Sequence, residues 1–356
     1  MSDAQPTILI LFGITGDLAQ RFLLPVIKKM KDEGTLPPKF RLIGASRLNY
    51  ETLLVRVTEA ESELGGTVQK LFYLAVPPHA CKEVVDFIET SGLKKGKYKL
   101  LLEKPFGHDL TSAEDLVVHI KKHFKENEIY RVDHYLVKNS VQGIIKKSWE
   151  KNNIRSIEIL ASEKLGIEGR VNFYEQTGAL QDFVQSHLLE LAALTLMTNG
   201  GKNIRELRVA ALKNLEVVCD ITKQECVKRG QYEGYRKEVN NPESMVETFV
   251  YINMVSNDPR WQGIAIKLVT GKAMKEKLTQ IRITYNDVKN LIFNIDPEPD
   301  AYERVITAAV LGNHGLFISS DEVLESWRIL DAIQQTWVHS KDDLIIYPRG
   351  CEITQI

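Results

Sequence analysis

Hydrophobic residues in the first third of the chain occur in short runs, each followed by a stretch with helical periodicity. The run at 7–12 is continuous and partly β-branched, which predicts a strand buried on both faces. Further strands are predicted at 41–45, 71–76, 98–103 and 129–132, and helices to about residue 31, at 79–90 and at 112–125. Strands that alternate with helices in this way indicate a parallel sheet.

The hydrophobic pattern changes beyond residue 150. A strand is predicted at 154–161, and a long, mostly apolar helix at 178–197. Further elements are predicted as strands at 247–255, 264–270, 279–285 and 290–295 and helices at 301–311 and 320–337. Consecutive strands at this spacing predict hairpins and an antiparallel sheet. We therefore expect an α/β domain followed by an α+β domain whose sheet is largely antiparallel.

The first predicted strand leads directly into a glycine turn and then into a helix. Gly13 permits the tight turn, and Gly16 lets the backbone approach a pyrophosphate at the helix N-terminus. Residues 1–135 are therefore expected to form a Rossmann-type dinucleotide-binding domain, with the α+β domain in 136–356. The expected cofactor contacts are Gly13, Thr15, Gly16, Asp17 and Leu18, with Pro77 and Lys104 at the ends of later strands.

Arg47 follows the second predicted strand. An NAD-dependent enzyme usually has an acidic residue here to hold the ribose 2′-hydroxyl, whereas an arginine suits a 2′-phosphate. NADP is therefore the expected cofactor, with NAD as the alternative. The other interpretation of Arg47 is a solvated loop charge.

The segment 131–138 brings a carboxylate, an imidazole, a phenol and an ammonium group close together, at Asp133, His134, Tyr135 and Lys138. A helix that begins near Leu136 places the basic and hydroxyl groups around its first turn, where backbone N–H groups favour an anion. A carboxylate beside an anion site suits an enzyme with a phosphorylated substrate. The alternative is a helix cap with solvated charges.

Composition excludes several classes of protein. The 356 residues are 44% apolar and 26% charged with a net charge of −1, which gives no reason to expect nucleic acid or an anionic membrane as partner. No apolar run approaches the ~20 residues that span a bilayer, and no N-terminal pattern suggests secretion. Four cysteines are too few and too scattered for a disulfide framework or a zinc knuckle, so we expect a reduced, cytoplasmic compartment.

One histidine pair has the spacing of metal ligands. His119 and His123 lie at i and i+4 on a predicted helix, where two imidazoles can share an ion. The adjacent lysines and the lack of a third ligand favour a solvated helix face instead. We expect no metal.

Segments along nearly the whole chain resemble the glucose-6-phosphate dehydrogenase family, in the family's order. They include GITGDLA at 13–19, YLAVPP at 73–78, EKPFG at 103–107, RVDHYLVK at 131–138, GIEGR at 166–170, GALQDFVQSH at 178–187, RWQG at 260–263 and DAYER at 300–304. The resemblance implies an oxidoreductase that transfers hydride from C1 of glucose 6-phosphate to NADP and releases 6-phosphoglucono-lactone.

The resemblance also implies roles for individual residues. His187 matches the general base and Asp133 the carboxylate that orients it, whereas a lone histidine on an apolar helix would be a core residue. The matching substrate residues are His134, Tyr135 and Lys138 around the phosphate, Lys104, Glu163, Asp182 and Lys272 near the sugar hydroxyls, and Lys277 near a second basic position. Arg47 matches the residue that binds the NADP 2′-phosphate.

The chain departs from the family just after the glycine turn, where Gln20-Arg21-Phe22 stands in place of Lys-Arg-Lys. Phe22 replaces a lysine that contacts substrate, and a phenyl ring neither donates a hydrogen bond nor carries charge. Losing such a charged hydrogen bond costs about 1.5–3 kcal/mol. Two alternatives therefore stay open: a dehydrogenase for another sugar or sugar phosphate, and a non-catalytic protein that binds NADP or sugar phosphate.

The chain is also shorter than the usual family members, between Arg47 and Leu71 and between Ile295 and Tyr302. The second deletion falls in the large sheet through which the family usually dimerises. We expect a homo-oligomer, most simply a dimer that uses a smaller sheet or a different face.

Overall fold

A computed structural model describes residues 4–46, 50–145, 153–198, 203–217, 221, 225–287, 289–298, 300–340 and 342–356. The chain divides into two compact units. The first comprises Met1–Gly107, Thr111–Val137 and Glu298–Ser320, and the second comprises His108–Leu110, Lys138–Pro297 and Asp321–Ile356. The domain boundary after residue 135 stays a prediction; by contacts, the motif at 131–138 is divided between the units after Val137.

The first unit is built on a five-stranded sheet in the order β2-β1-β3-β4-β5, and all its neighbouring strands are parallel. The strands are β1 (Thr7–Phe12), β2 (Phe40–Ala45), β3 (Gln69–Leu74), β4 (Lys97–Leu102) and β5 (Ile129–Arg131). Every residue of β1 and of β3 is buried, as a strand covered on both faces requires. The predicted Rossmann-type sheet is confirmed.

Helices pack against this sheet. They are α1 (Leu24–Asp32), α2 (Tyr50–Leu64), α3 (Cys81–Thr90), α4 (Leu110–Lys121) and α10 (Ala301–Leu311). A π-helical turn, Ala19–Leu23, precedes α1. The helix α2 was not predicted. The helix α10 belongs to this unit although it lies far along the chain, because its Val305 and Ile306 join the core formed by Leu9, Leu11 and Tyr73.

The second unit contains an eight-stranded sheet in the order β12-β11-β6-β10-β9-β8-β13, with β7 paired to β9. Its strands are β6 (Ile154–Ser162), β7 (Leu215–Val217), β8 (Val227–Tyr232), β9 (Phe249–Ser256), β10 (Ala265–Gly271), β11 (Leu278–Tyr285), β12 (Asn290–Asn294) and β13 (Leu344–Tyr347). Most pairings are antiparallel, as predicted, but β6 pairs with β10 and β8 with β13 in parallel. The core beside the sheet is rich in aromatic residues, including Tyr174, Tyr232 and Phe249.

The helices of the second unit include the segment with the predicted base. They are α5 (Asn139–Ile145), α6 (Val171–Ala179), α7 (Leu189–Leu196), α8 (Ile204–Lys213), α9 (Tyr235–Glu238) and α11 (Ser320–His339). The prediction of one α-helix over 178–197 was wrong in detail. The backbone kinks at Gly178, and a π-helix, Leu180–Leu188, intervenes before α7.

In the part of the chain that the structure describes, none of the helices has the length and apolar character needed to cross a membrane. Cys81 and Cys351 are free thiols, whereas Cys226 is disulfide-bonded. That disulfide departs from the expectation that all the cysteines are reduced.

Candidate active site

The glycine turn after β1 can accept only glycine at its first position. Gly13 has φ 79°, and a Cβ atom there would lie 2.3 Å from the carbonyl oxygen of Ala75, at the end of the neighbouring strand β3. The turn is closed by the Gly16 N–H, which donates to the Gly13 oxygen at 2.9 Å. Thr15 and Asp17 are exposed on this turn. The close backbone approach and the exposed rim are what a pyrophosphate-binding turn needs.

The other predicted cofactor residues of the first unit lie at the same edge of the sheet. Pro77 follows β3, and Lys104 follows β4. In the sheet, β2 lies on one side of β1 and β3 on the other, so the glycine turn after β1 stands at the switch point where dinucleotides bind in such sheets. Leu18 packs partly buried against the core. Arg47 lies outside the described residues.

The segment that follows β5 carries three predicted residues. Asp133 is buried, and its Oδ1 accepts the backbone N–H of Tyr135 at 2.8 Å. This bond holds residues 134–137 in a turn, so the helix predicted from Leu136 instead begins at Asn139. The His134 ring stacks on Tyr302 with a centroid separation of 6.4 Å and an interplanar angle of 22°.

Glu103 directly follows β4, and its carboxyl group is influenced by the charge of Asp133. Burial raises the pKa of Glu103 to about 7, and the Asp133 charge adds to the increase, while the hydrogen bond from the Tyr73 hydroxyl and the charge of Lys104 lower it. The pKa of Tyr302 is also raised, first by burial and then by the charges of Glu103 and Asp133. Two acids and two phenols, largely buried, thus lie close together beside the predicted motif.

In the second unit, three residues predicted to lie near the sugar hydroxyls come together. The Lys272 ammonium is buried, donates to the Glu163 carboxylate and lies 3.8 Å from Asp182 Oδ2. Glu163 follows β6 and Lys272 follows β10, and these strands are parallel neighbours with Ser162 opposite Gly271. Because the two strands end side by side, the residues after them must meet.

The predicted base lies on the π-helix of the same unit. His187 is buried, with its ring edge-to-face against Phe183 at 5.3 Å. Asp182 lies on the same segment, and π-helical insertions are frequent at functional sites. The segment therefore carries both the predicted base and one residue of the Lys272 cluster.

Glu247 anchors the start of the π-helix. Its Oε1 accepts the N–H of Leu180 at 2.8 Å, and its backbone oxygen accepts the N–H of Ala179 at 3.0 Å. Burial raises the pKa of Glu247 to about 7, although these N–H groups lower it. A Cβ atom at Gly178 would lie 2.3 Å from Glu247 Oε1, so only glycine fits at the kink.

Two further predicted lysines lie next to the starts of helix α5 and strand β11. Lys138 is buried directly before α5. Lys277 is exposed directly before β11.

Sequence reasoning missed Glu103, Tyr302 and Glu247. Tyr302 lies in the DAYER segment and Glu103 in EKPFG, so both were visible as parts of similar segments without an assigned role. Glu247 gave no signal, because its contact with Gly178 joins positions far apart in sequence.

Comparisons with known proteins identify the family. Residues 10–53 and 47–143 match the model of the glucose-6-phosphate dehydrogenase NAD binding domain, and residues 137–298 and 293–354 match the model of its C-terminal domain. The glucose-6-phosphate 1-dehydrogenase of Bacillus subtilis is 29% identical over 457 aligned positions, which cover 96% of this chain and 94% of that enzyme. The chain has only 356 residues, so an alignment of 457 positions must contain gaps within it. The chain is therefore shortened internally relative to that enzyme.

Solved structures show the same fold. A glucose-6-phosphate dehydrogenase in complex with glucose-6-phosphate has a TM-score of 0.87 at 24% identity, covering 99% of this chain and 96% of that chain. The glucose-6-phosphate 1-dehydrogenase of Mycobacterium avium has a TM-score of 0.82 at 26% identity, covering 98% and 95%. Both domain models of the family match, and together they cover nearly the full length of the chain. The chain therefore belongs to the glucose-6-phosphate dehydrogenase family.

Proposed function

We propose that the chain is a dehydrogenase that oxidises C1 of glucose 6-phosphate to 6-phosphoglucono-lactone with NADP as the hydride acceptor. The observation that carries the proposal is the cluster of Glu163, Asp182 and Lys272. Three residues from distant parts of the sequence, all expected near the sugar hydroxyls, meet on the unit that also holds His187. The family membership supports the same reaction class.

The residues of the first unit fit a nicotinamide dinucleotide. The Gly13 position has no room for a Cβ atom, and the exposed turn formed by Thr15, Gly16 and Asp17 follows it. When bound, the nicotinamide ring supplies the hydride acceptor. The turn would hold the pyrophosphate through its backbone N–H groups, with Pro77 and Lys104 beside it. Preference for NADP over NAD depends on Arg47 and is part of the proposal.

We assign proton transfer to His187 and its orientation to Asp133. Oxidation of the C1 hydroxyl requires a base for the O–H proton, and an unperturbed imidazole, with a pKa of about 6.5, titrates near neutral pH. A carboxylate bonded to the other ring nitrogen fixes the tautomer and stabilises the imidazolium. This pairing derives from the family resemblance.

The sugar would be held by groups with complementary roles. The carboxylates of Glu163 and Asp182 accept hydrogen bonds from hydroxyl groups, and the Lys272 ammonium between them donates. The 6-phosphate is assigned to His134, Tyr135 and Lys138, whose side chains are all donors. A homodimer and a cytoplasmic location stay predictions from the sequence.

A second candidate is a dehydrogenase of the same build acting on another sugar or sugar phosphate. Phe22 favours it, because its ring is 44% exposed and packs at 6.1 Å against Tyr302, which in turn stacks on His134. An apolar ring thus stands beside the predicted phosphate residues where the family carries an ammonium group.

Steady-state reduction of NADP and of NAD, followed by absorbance with purified protein, tests the proposal. We expect turnover with glucose 6-phosphate that is lost in His187→Asn. Preference for another aldose or aldose phosphate in a substrate panel would select the second candidate. Stabilisation by NADP or glucose 6-phosphate without any turnover would identify a binding protein instead.

A further inference from the structure

Helices α3 and α4 of the first unit bring three metal-ligand types to one point. Asp86 lies on α3, His119 on α4, and His123 on the turn that follows α4. Asp86 Oδ1 is 2.8 Å from His119 Nε2 and 3.2 Å from His123 Nε2, and the three ligand atoms all lie within 4.8 Å of one another. The sequence offered only the histidine pair; the fold supplies the missing carboxylate.

The orientation of His119 does not suit an ordinary hydrogen bond to Asp86. His119 Nε2 is buried, and among the described residues it has no hydrogen-bond partner. Asp86 Oδ1 is only 2.8 Å away, but not in hydrogen-bonding geometry. The carboxylate oxygen therefore lies off the axis of the ring nitrogen. Donor atoms that are close together but not aimed at one another are arranged as they would be around a shared cation.

A second layer of polar groups supports one of the rings. His123 Nδ1 faces Glu89 Oε2 at 3.8 Å, and Glu89 is itself held by the Lys94 ammonium at 2.6 Å. Histidines that bind metals through one nitrogen usually direct the other to a carboxylate. Both histidines also lie at the C-terminal end of α4, where the helix dipole favours positive charge.

Two lysines near the cluster have carboxylate partners outside it. Lys94 is paired with Glu89, and Lys82 is paired with Asp115 across the same two helices. The Asp86 side chain is 52% exposed, whereas those of His119 and His123 are 19% and 23% exposed. One side of the cluster therefore faces solvent, which leaves room for a water molecule as a further ligand.

We propose that Asp86, His119 and His123 bind a divalent first-row transition ion, with Zn²⁺ as the representative, and thereby clamp α3 to α4. Two imidazoles and one carboxylate with an open fourth position form a common donor set for Zn²⁺. Bond lengths of about 2.0–2.2 Å place tetrahedral donors about 3.3 Å apart, close to the separations between Asp86 and the two rings. The site is independent of the residues assigned to the dehydrogenase reaction.

Calorimetric titration of the full chain with Zn²⁺, after removal of metals with a chelator, tests the proposal. We expect one ion per chain, with affinity reduced at least about tenfold in His119→Gln and in Asp86→Asn. His339→Gln, at the exposed end of α11, removes a histidine elsewhere and should bind like the unaltered chain. Co²⁺ should give visible absorption bands that the two site variants lose.

A thermal scan separates loss of the site from loss of the fold. Saturating Zn²⁺ should raise the melting temperature of the unaltered chain and of His339→Gln by ~5 °C, and leave both site variants unchanged. If His119→Gln fails to fold, Asp86→Asn carries the test, because that side chain is half exposed. Absence of binding, or equal binding by the site variants and His339→Gln, would overturn the proposal.

Discussion

Gly178→Ala tests how the helix that carries the predicted base is positioned. Gly178 has φ 63° and ψ 179°, a backbone region that is essentially restricted to glycine, and forcing another residue into it costs of order 1–3 kcal/mol. The new Cβ atom would also lie 2.3 Å from Oε1 and 2.7 Å from Cδ of Glu247. Either Glu247 or the start of the π-helix has to move.

Movement of Glu247 removes the acceptor of the Leu180 N–H, and a buried group left unsatisfied costs about 1–3 kcal/mol. Together with the backbone strain, we expect Gly178→Ala to destabilise the protein by roughly 2–6 kcal/mol. At about 2–4 °C per kcal/mol for a unit of this size, the melting temperature should fall by ~4–24 °C. Misplacement of His187 should lower kcat by about a hundredfold.

Gly169→Ala is the matched control. Gly169 also has a positive φ, 76°, but a Cβ atom there meets nothing within 4 Å. Only the backbone penalty of about 1–2 kcal/mol applies, so differential scanning calorimetry should show a decrease of ~2–8 °C and kinetics should show nearly unchanged turnover. Equal losses of stability and activity in Gly169→Ala and Gly178→Ala would refute the role assigned to the Glu247 contact.

Three further substitutions test the site. Lys272→Met should lower kcat/KM about ten- to a hundredfold through loss of a charged hydrogen bond. The control is Lys275→Met, which removes an exposed lysine paired with Glu352 and should change kcat/KM by about twofold or less. Equal effects of the two substitutions would contradict the role of the Lys272 cluster. Phe22→Lys should raise kcat/KM for glucose 6-phosphate by about ten- to a hundredfold, and no gain would favour a different substrate. Glu247→Gln should reduce the pH dependence of the free energy of unfolding. The raised pKa of Glu247, about 7, contributes stability on the order of 3 kcal/mol that is fully present below about pH 4.5 and is lost as the pH rises through 7. Denaturant titrations at pH 5 and 8 that show the same change in unfolding free energy for the unaltered chain and the variant would contradict this.

Local pattern was sufficient to predict the parallel sheet and which residues follow its strands at one edge. The strand β1 occupies the predicted residues 7–12, because a continuous apolar run has no other stable place than a sheet covered on both faces. Since parallel strands end at one edge, the positions of Gly13, Pro77 and Lys104 at that edge followed from their place in sequence.

Contacts between distant positions were beyond the reach of the sequence. The break at Gly178 depends on Glu247, and the salt bridge between Glu163 and Lys272 depends on the parallel pairing of β6 with β10, where spacing suggested only hairpins. Asp86, which joins the two histidines in the proposed metal site, likewise lies on a different helix. In each case a side chain is positioned by packing between elements, which periodicity within one element does not encode.

The most direct test of the proposed reaction is a steady-state assay with glucose 6-phosphate and NADP, comparing the unaltered chain with His187→Asn. The proposal predicts reduction of NADP by the unaltered chain and a loss of at least about a hundredfold in kcat for the variant, since general-base catalysis contributes about 10²–10⁴-fold. No turnover by a folded, NADP-binding chain, or equal turnover by His187→Asn, would contradict it.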